Sequence, residues 1–169
     1  MSEVMKGIFA VMQTPLRENG ELDVKSLERQ TGFCIECGAH GLVFPVLGGE
    51  YQFLSEGERA QLVEVVVKTA GGQVPVVAGV AGPVKEVAVV CTEAAVKSGV
   101  DAVVALPPAG GRQEEVREYY EAIAKAAGRP VFLQHTSGGL SADFMRELFA
   151  EVEHIDYLKE EQQPSAHQI

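Results

Sequence analysis

Basic residues are few in this chain of 169: 14 lysines and arginines stand against 24 aspartates and glutamates, a formal net charge of −10. A phosphate backbone is held by clustered cations, so no nucleic-acid partner is expected. Long apolar runs are missing as well. No stretch approaches 18 uninterrupted apolar residues, so no membrane span is expected. The opening Met1-Ser2-Glu3-Val4-Met5-Lys6 lacks a basic region followed by an apolar run, which argues against a signal peptide and makes the cytoplasm the default location. Cysteine is scarce and odd in number, three in all, which suits reduced thiols better than a disulfide framework. Cys34-Ile35-Glu36-Cys37 has C-x-x-C form with His40 close behind, but no second ligand pair follows at matching spacing, and zinc takes four ligands. The cysteines are read as structural, and neither metal nor cofactor is expected. Also absent is G-x-G-x-x-G after the first apolar run, where Gln13-Thr14-Pro15 stands instead.

What remains is an ordinary globular balance, 46% hydrophobic and 22% charged, arranged in a repeating order. Apolar runs of strand length fall at Gly7–Met12, Gly41–Val46, Val74–Val80, Ala102–Leu106, Val131–Gln134 and Ile155–Lys159. Between them lie helix-period segments with their own punctuation. Asp23 is a predicted N-cap, and Gly38 stops the helix it starts. Ser55-Glu56-Gly57-Glu58 has the form of a capping box, and Gly48-Gly49 before it reads as a flexible loop. Further helices are predicted over Val84–Lys97, Glu114–Ala127 and Ala142–Ala150, with Gly99 and Gly128 as stops for the first two. Gly38-Ala39-His40-Gly41-Leu42-Val43 parallels Gly99-Val100-Asp101-Ala102-Val103-Val104, a weak repeat of βα units.

Strands this uniformly apolar suit a parallel sheet covered by helices. Regular βα alternation leaves an open doubly wound sheet or a closed barrel. The missing phosphate turn tilts the reading to an α/β (β/α)8 barrel, of which about six units are present, as one partial barrel domain over residues 1–169. In such folds functional groups gather at the C-terminal ends of the strands. Lys159 is the strong nucleophile among them. Burial there disfavours the ammonium and would let the amine attack a ketone to give a Schiff base. A solvated lysine, or one paired with Glu160 or Glu161, is the other reading. Gly48 and Gly49 either aim backbone N–H groups at a carboxylate or form a plain βα turn. His135 is either a proton shuttle or a hydrogen-bonded loop histidine. Thr14 and Leu47 also stand at strand ends. A further reading, an open α/β domain holding a phosphorylated ligand at Gly79-Val80-Ala81-Gly82, has only Lys85 as a nearby cation.

Together these positions resemble the dihydrodipicolinate synthase / N-acetylneuraminate lyase family of class I aldolases, through nearly the whole chain. Thr14-Pro15 and Asn19-Gly20-Glu21-Leu22-Asp23 resemble the family's first loop and helix start. Gly49-Glu50 with Leu54-Ser55-Glu56-Gly57-Glu58-Arg59 is similar to its GTTGE…LSxxER segment, and Tyr157-Leu158-Lys159-Glu160 to its Schiff-base strand. The resemblance implies a lyase acting on pyruvate or a related 2-oxo acid, with Lys159 as nucleophile and catalytic Gln134 beside it. Leu47, Gly48, Gly49, Thr14 and His135 are the expected substrate contacts, and a homo-oligomer the expected assembly. Leu47 and Gly48 stand where the family has paired hydroxyls for the substrate carboxylate. Gln134 stands where its proton-relaying tyrosine lies, and glutamine cannot exchange protons near neutral pH. The loop His135-Thr136-Ser137-Gly138-Gly139 carries no arginine. The alternative is a catalytically inactive truncated barrel, since a barrel of eight strands runs to about 250 residues and the sequence after Lys159 ends at Ile169.

Overall fold

A computed structural model of the chain describes residues 4–136 and 140–162. Ser137-Gly138-Gly139 and the segment from Gln163 to Ile169 lie outside the described residues. The chain runs β1 (Phe9–Val11), α1 (Val24–Glu36), β2 (Gly41–Phe44), α2 (Glu56–Ala70), β3 (Val76–Gly79), α3 (Lys85–Ser98), β4 (Ala102–Ala105), α4 (Gln113–Ala127), β5 (Val131–His135), α5 (Ala142–Glu151) and β6 (Ile155–Glu160). The strands follow chain order in the sheet, β1-β2-β3-β4-β5-β6. This is the (β/α)8 barrel pattern over its first six units. By its contacts the chain divides into two compact units, Met1–Gly79 with Ala94–Asp101, and Val80–Glu93 with Ala102–Ile169.

In the first unit β1 pairs with β2 and β2 with β3, all parallel. The predicted punctuation is in place. Asp23 accepts from the N–H of Ser26, as an N-cap does. Gly38, at φ 85°, follows the end of α1 in the left-handed conformation that a side chain resists. Ser55 and Glu58 form the reciprocal capping box, with the Ser55 N–H donating to Glu58 Oε2 at 2.8 Å. Leu27 on α1 and Leu62, Val63, Val66 and Ala70 on α2 are buried, and they give the two helices their inner faces.

Two strand neighbours meet where a side chain would not fit. A Cβ added to Gly79 would lie 1.6 Å from the carbonyl oxygen of Pro45, and one added to Gly41 2.2 Å from the Phe9 ring. The stretch after β2 is not the flexible loop expected of Gly48-Gly49. Leu47–Gly49 forms one 3₁₀ turn and Tyr51–Phe53 another, joined by Glu50 at φ 56°. Two local backbone bonds, Gly49 N–H to Val46 O and Glu50 N–H to Leu47 O, hold this shape. Neither involves a side chain, so composition gives no sign of it.

In the second unit β4 pairs with β5 and β5 with β6, again parallel. The β5–β6 register shifts by one residue. Val131 faces Ile155, but Phe132 faces Tyr157, so Asp156 is passed over. Phe132 and Tyr157 then stack, ring centroids 4.4 Å apart at 14°. From there Gln134 faces Lys159 and His135 faces Glu160. Tyr119 and Tyr120 on α4 are buried and also hold strand ends. Tyr120 Oη donates to Ala105 O at 2.8 Å, and Tyr119 Oη to Leu106 O at 3.2 Å. Burial, reinforced by Tyr119, pushes the Tyr120 hydroxyl well above the ordinary tyrosine range, so it stays a neutral donor.

Candidate active site

In the first unit Thr14 and the 3₁₀ turn come together. Thr14 Oγ1 donates to the carbonyl of Gly49 at 2.5 Å, tying the β1 loop to the turn. Gly49 is buried, and a Cβ there would lie 3.2 Å from Met12 O, so a side chain would crowd the strand end. The N–H of Gly49 is engaged by Val46, which removes it from any carboxylate cradle. The N–H groups of Leu47 and Gly48, the first of the turn, receive no partner among the described residues. First-turn N–H groups are left unsatisfied by the helix itself and suit an anion. The cradle expected from Gly48 and Gly49 therefore reduces to Leu47 and Gly48.

The Gly79–Gly82 stretch, read as a possible phosphate loop, offers less. Val80 N–H donates to Val104 O at 2.9 Å and Gly82 N–H to Tyr119 Oη at 3.0 Å. Both amides are engaged inside the second unit.

At the ends of β5 and β6 four side chains form two pairs on opposite faces of the sheet, because facing residues share a face and neighbours alternate. On one face are Gln134 and Lys159. Gln134 is buried, and the Lys159 side chain is 21% exposed. Both reach the same oxygen of Glu161. Lys159 Nζ forms an ion pair with Glu161 Oε2, and Gln134 Nε2 donates to that oxygen at 2.5 Å. Lys159 thus has the carboxylate partner that the plainer sequence reading allowed, and it also stands at a strand end beside a buried amide. Glu161 was not singled out from the sequence. The doubled Glu160-Glu161 after the lysine was the available signal, but a place two residues past the predicted strand does not say which face a side chain joins.

On the other face are His135 and Glu160. His135 is not a loop residue, as expected, but the last residue of β5, and it is buried. Its Nδ1 lies 2.8 Å from Glu160 Oε2. An ionised carboxylate only accepts, so Nδ1 donates. Nε2 is also buried and has no hydrogen-bond partner among the described residues. Gln162 N–H donates to Glu160 Oε1 at 2.7 Å, and Glu161 N–H to His135 O at 2.8 Å. The His135–Glu160 pair therefore fixes the backbone that carries Glu161.

Burial would raise the Glu160 carboxyl, but the hydrogen bonds from His135, Gln162 and Glu161 outweigh it and hold the group below the ordinary glutamate range. A carboxyl depressed in the fold adds stability above its unfolded value, about 4.3, and that stability is lost as pH falls through the folded value. Glu160→Gln is expected to remove about 1 kcal/mol at pH 7 and to flatten the fall in stability toward pH 3. Urea unfolding of both proteins at the two pH values measures this, and equal falls would refute it.

Beside this cluster a cavity of about 260 Å³ opens between Pro107–Gly111 and Leu140, with Gln134, His135 and Thr136 on its wall. Among the described residues no lysine or arginine lines it.

The profile of the dihydrodipicolinate synthetase family matches residues 4–161. Over 156 residues the chain is 33% identical to a 4-hydroxy-tetrahydrodipicolinate synthase of Desulfotalea psychrophila, covering 91% of this chain and 52% of that protein. It is 27% identical over 172 residues to an L-2-keto-3-deoxyarabonate dehydratase of Azospirillum brasilense, covering 97% and 56%. A crystal structure of a dihydrodipicolinate synthase superposes with a TM-score of 0.90 at 29% identity, over 96% of this chain and 58% of that one. The enzyme of that name from Aquifex aeolicus gives 0.85 at 26% identity, over 90% and 54%. The chain spans about half the length of the curated relatives it matches.

Proposed function

Because the chain belongs to the dihydrodipicolinate synthetase family, we propose that it carries the Schiff-base lysine of an aldolase-type lyase acting on pyruvate or a related 2-oxo acid, with Lys159 as the nucleophile. The observation that carries this reading is the place of Lys159 at the end of β6, one-fifth exposed and in contact with a carboxylate. A primary amine condenses with the C2 carbonyl of a 2-oxo acid, releasing water and leaving an iminium. The iminium draws electrons from C3, which permits a C–C bond to form or break there, or a β-hydroxyl to leave. No metal is needed for that electron withdrawal. The relatives bearing the names of a synthase and a dehydratase are consistent with either outcome.

Within the first unit the N–H groups of Leu47 and Gly48 are suited to an anion such as a carboxylate, and Thr14 holds their turn in shape through Gly49. Gln134 orients rather than exchanges protons, since its amide has no titration near neutrality. His135 supports the site from the opposite face through Glu160. The Lys159 reading predicts that borohydride reduction in the presence of pyruvate adds one pyruvate-derived mass, and that peptide mapping puts it on Lys159. An unmodified protein after that treatment would end the proposal.

A further inference from the structure

We infer that Glu161 is the catalytic acid and base of the Lys159 Schiff base, the proton-carrying role that Gln134 cannot fill. The inference rests on the Lys159 reading. Among the described residues Glu161 is the titratable side chain in contact with Lys159 Nζ. The other candidates nearby are engaged elsewhere. His135 projects from the opposite face and is tied to Glu160. Tyr120 is buried, held as a neutral donor and bonded to Ala105 O, while Tyr119 Oη bonds Leu106 O and Gly82 N–H.

Glu161 also has the construction of a working carboxylate. Its Oε2 takes both Lys159 Nζ and Gln134 Nε2, while Oε1 accepts nothing among the described residues. Gln134 is a buried, neutral donor that fixes the carboxylate without competing for its proton. Behind it, the Glu161 N–H is bonded to His135 O. The side chain is 42% exposed, so it can exchange its proton with water between steps. A proton carrier is thus placed just past β6, two residues beyond Lys159.

The protons balance as follows. The Lys159 ammonium passes one proton to the Glu161 carboxylate, and the freed lone pair bonds C2 of the 2-oxo acid. A second proton moves from nitrogen to the carbonyl oxygen, giving a neutral carbinolamine. The Glu161 carboxylic acid protonates that hydroxyl, which departs as water and leaves the iminium with one N–H. The regenerated carboxylate then takes a proton from C3, giving the enamine, and later returns it.

Incubating the protein with pyruvate in D₂O tests this, with C3 deuteration followed by NMR and the adduct followed by borohydride trapping. Glu161→Gln is expected to lower the deuteration rate by about 100-fold or more, while adduct still accumulates on long incubation. Glu161→Asp is expected to recover part of the rate. Deuteration by Glu161→Gln within about threefold of the unaltered protein, well short of a general-base effect, would overturn the assignment. Loss of adduct in Glu161→Gln, unrelieved in Glu161→Asp, would give Glu161 a holding role only and overturn it too. Absence of adduct in the unaltered protein would instead remove the Lys159 reading, and this inference with it.

Discussion

Lys159→Arg is expected to yield no trapped pyruvate adduct and to lower turnover in a pyruvate-forming assay on the order of 10⁴-fold or more, the scale seen when a covalent nucleophile is removed. Arginine is the informative replacement. Its guanidinium keeps the positive charge and can remain paired with Glu161, but it is never deprotonated in proteins and cannot bond a ketone. The fold is expected to survive, because a part-exposed ion pair contributes only about 0–1 kcal/mol. Loss of chemistry without loss of structure is therefore the predicted signature. Intact mass after borohydride and the urea midpoint, measured on one preparation, check both halves. An adduct of unchanged mass in Lys159→Arg would move the nucleophile to another lysine.

Gly79→Ala is expected to act on the fold instead. The added methyl would sit 1.6 Å from the carbonyl oxygen of Pro45 and 2.7 Å from its carbonyl carbon. Both are backbone atoms, so no rotamer change relieves the clash and β2 and β3 must move apart. Arg59 Nη2, which donates to Gly79 O at 3.0 Å, is disturbed by the same movement. A destabilisation of about 3 kcal/mol or more is expected, at the upper end of overpacking and a large share of the 5–15 kcal/mol that holds a domain together. Gly57→Ala is the control. Nothing lies within 4 Å of a Cβ there, in the first turn of α2, so a gain of about 0.5–1 kcal/mol is expected. Denaturant midpoints of the two variants should shift in opposite directions. A Gly79→Ala midpoint equal to that of the unaltered protein would show that the β2–β3 contact yields easily.

Much of the fold was legible in the sequence because its signals are local. Asp23, Ser55 with Glu58, Gly38 and Gly128 mark helix ends through bonds that span one turn. The apolar runs marked the strands, though the first four overshoot them and the last two stop one residue short. Gly7–Met12 reads as six residues, whereas β1 keeps three, Phe9–Val11. The place of Lys159 near a strand end was legible too. The 3₁₀ turns after β2 were not, since backbone bonds alone define them. Nor were the burial of His135 or the contact of Glu161 with Gln134 and Lys159. Those depend on which residues of β5 and β6 stand opposite one another, across 25 and 27 positions of sequence, and alternating polarity within a strand does not give the pairing between strands.

The single unpaired residue between β5 and β6 therefore decides more than local shape. Counted straight on from Val131 and Ile155, Gln134 would oppose Leu158 and His135 would oppose Lys159. The amine would then emerge on the histidine's side, behind the layer where the glutamine waits. Passing over Asp156 rotates the phase of everything after it by half a period. The arrangement at the end of this strand is thus written partly as a number: Lys159 and Glu161 meet Gln134 only because an odd residue upstream turns them to its side.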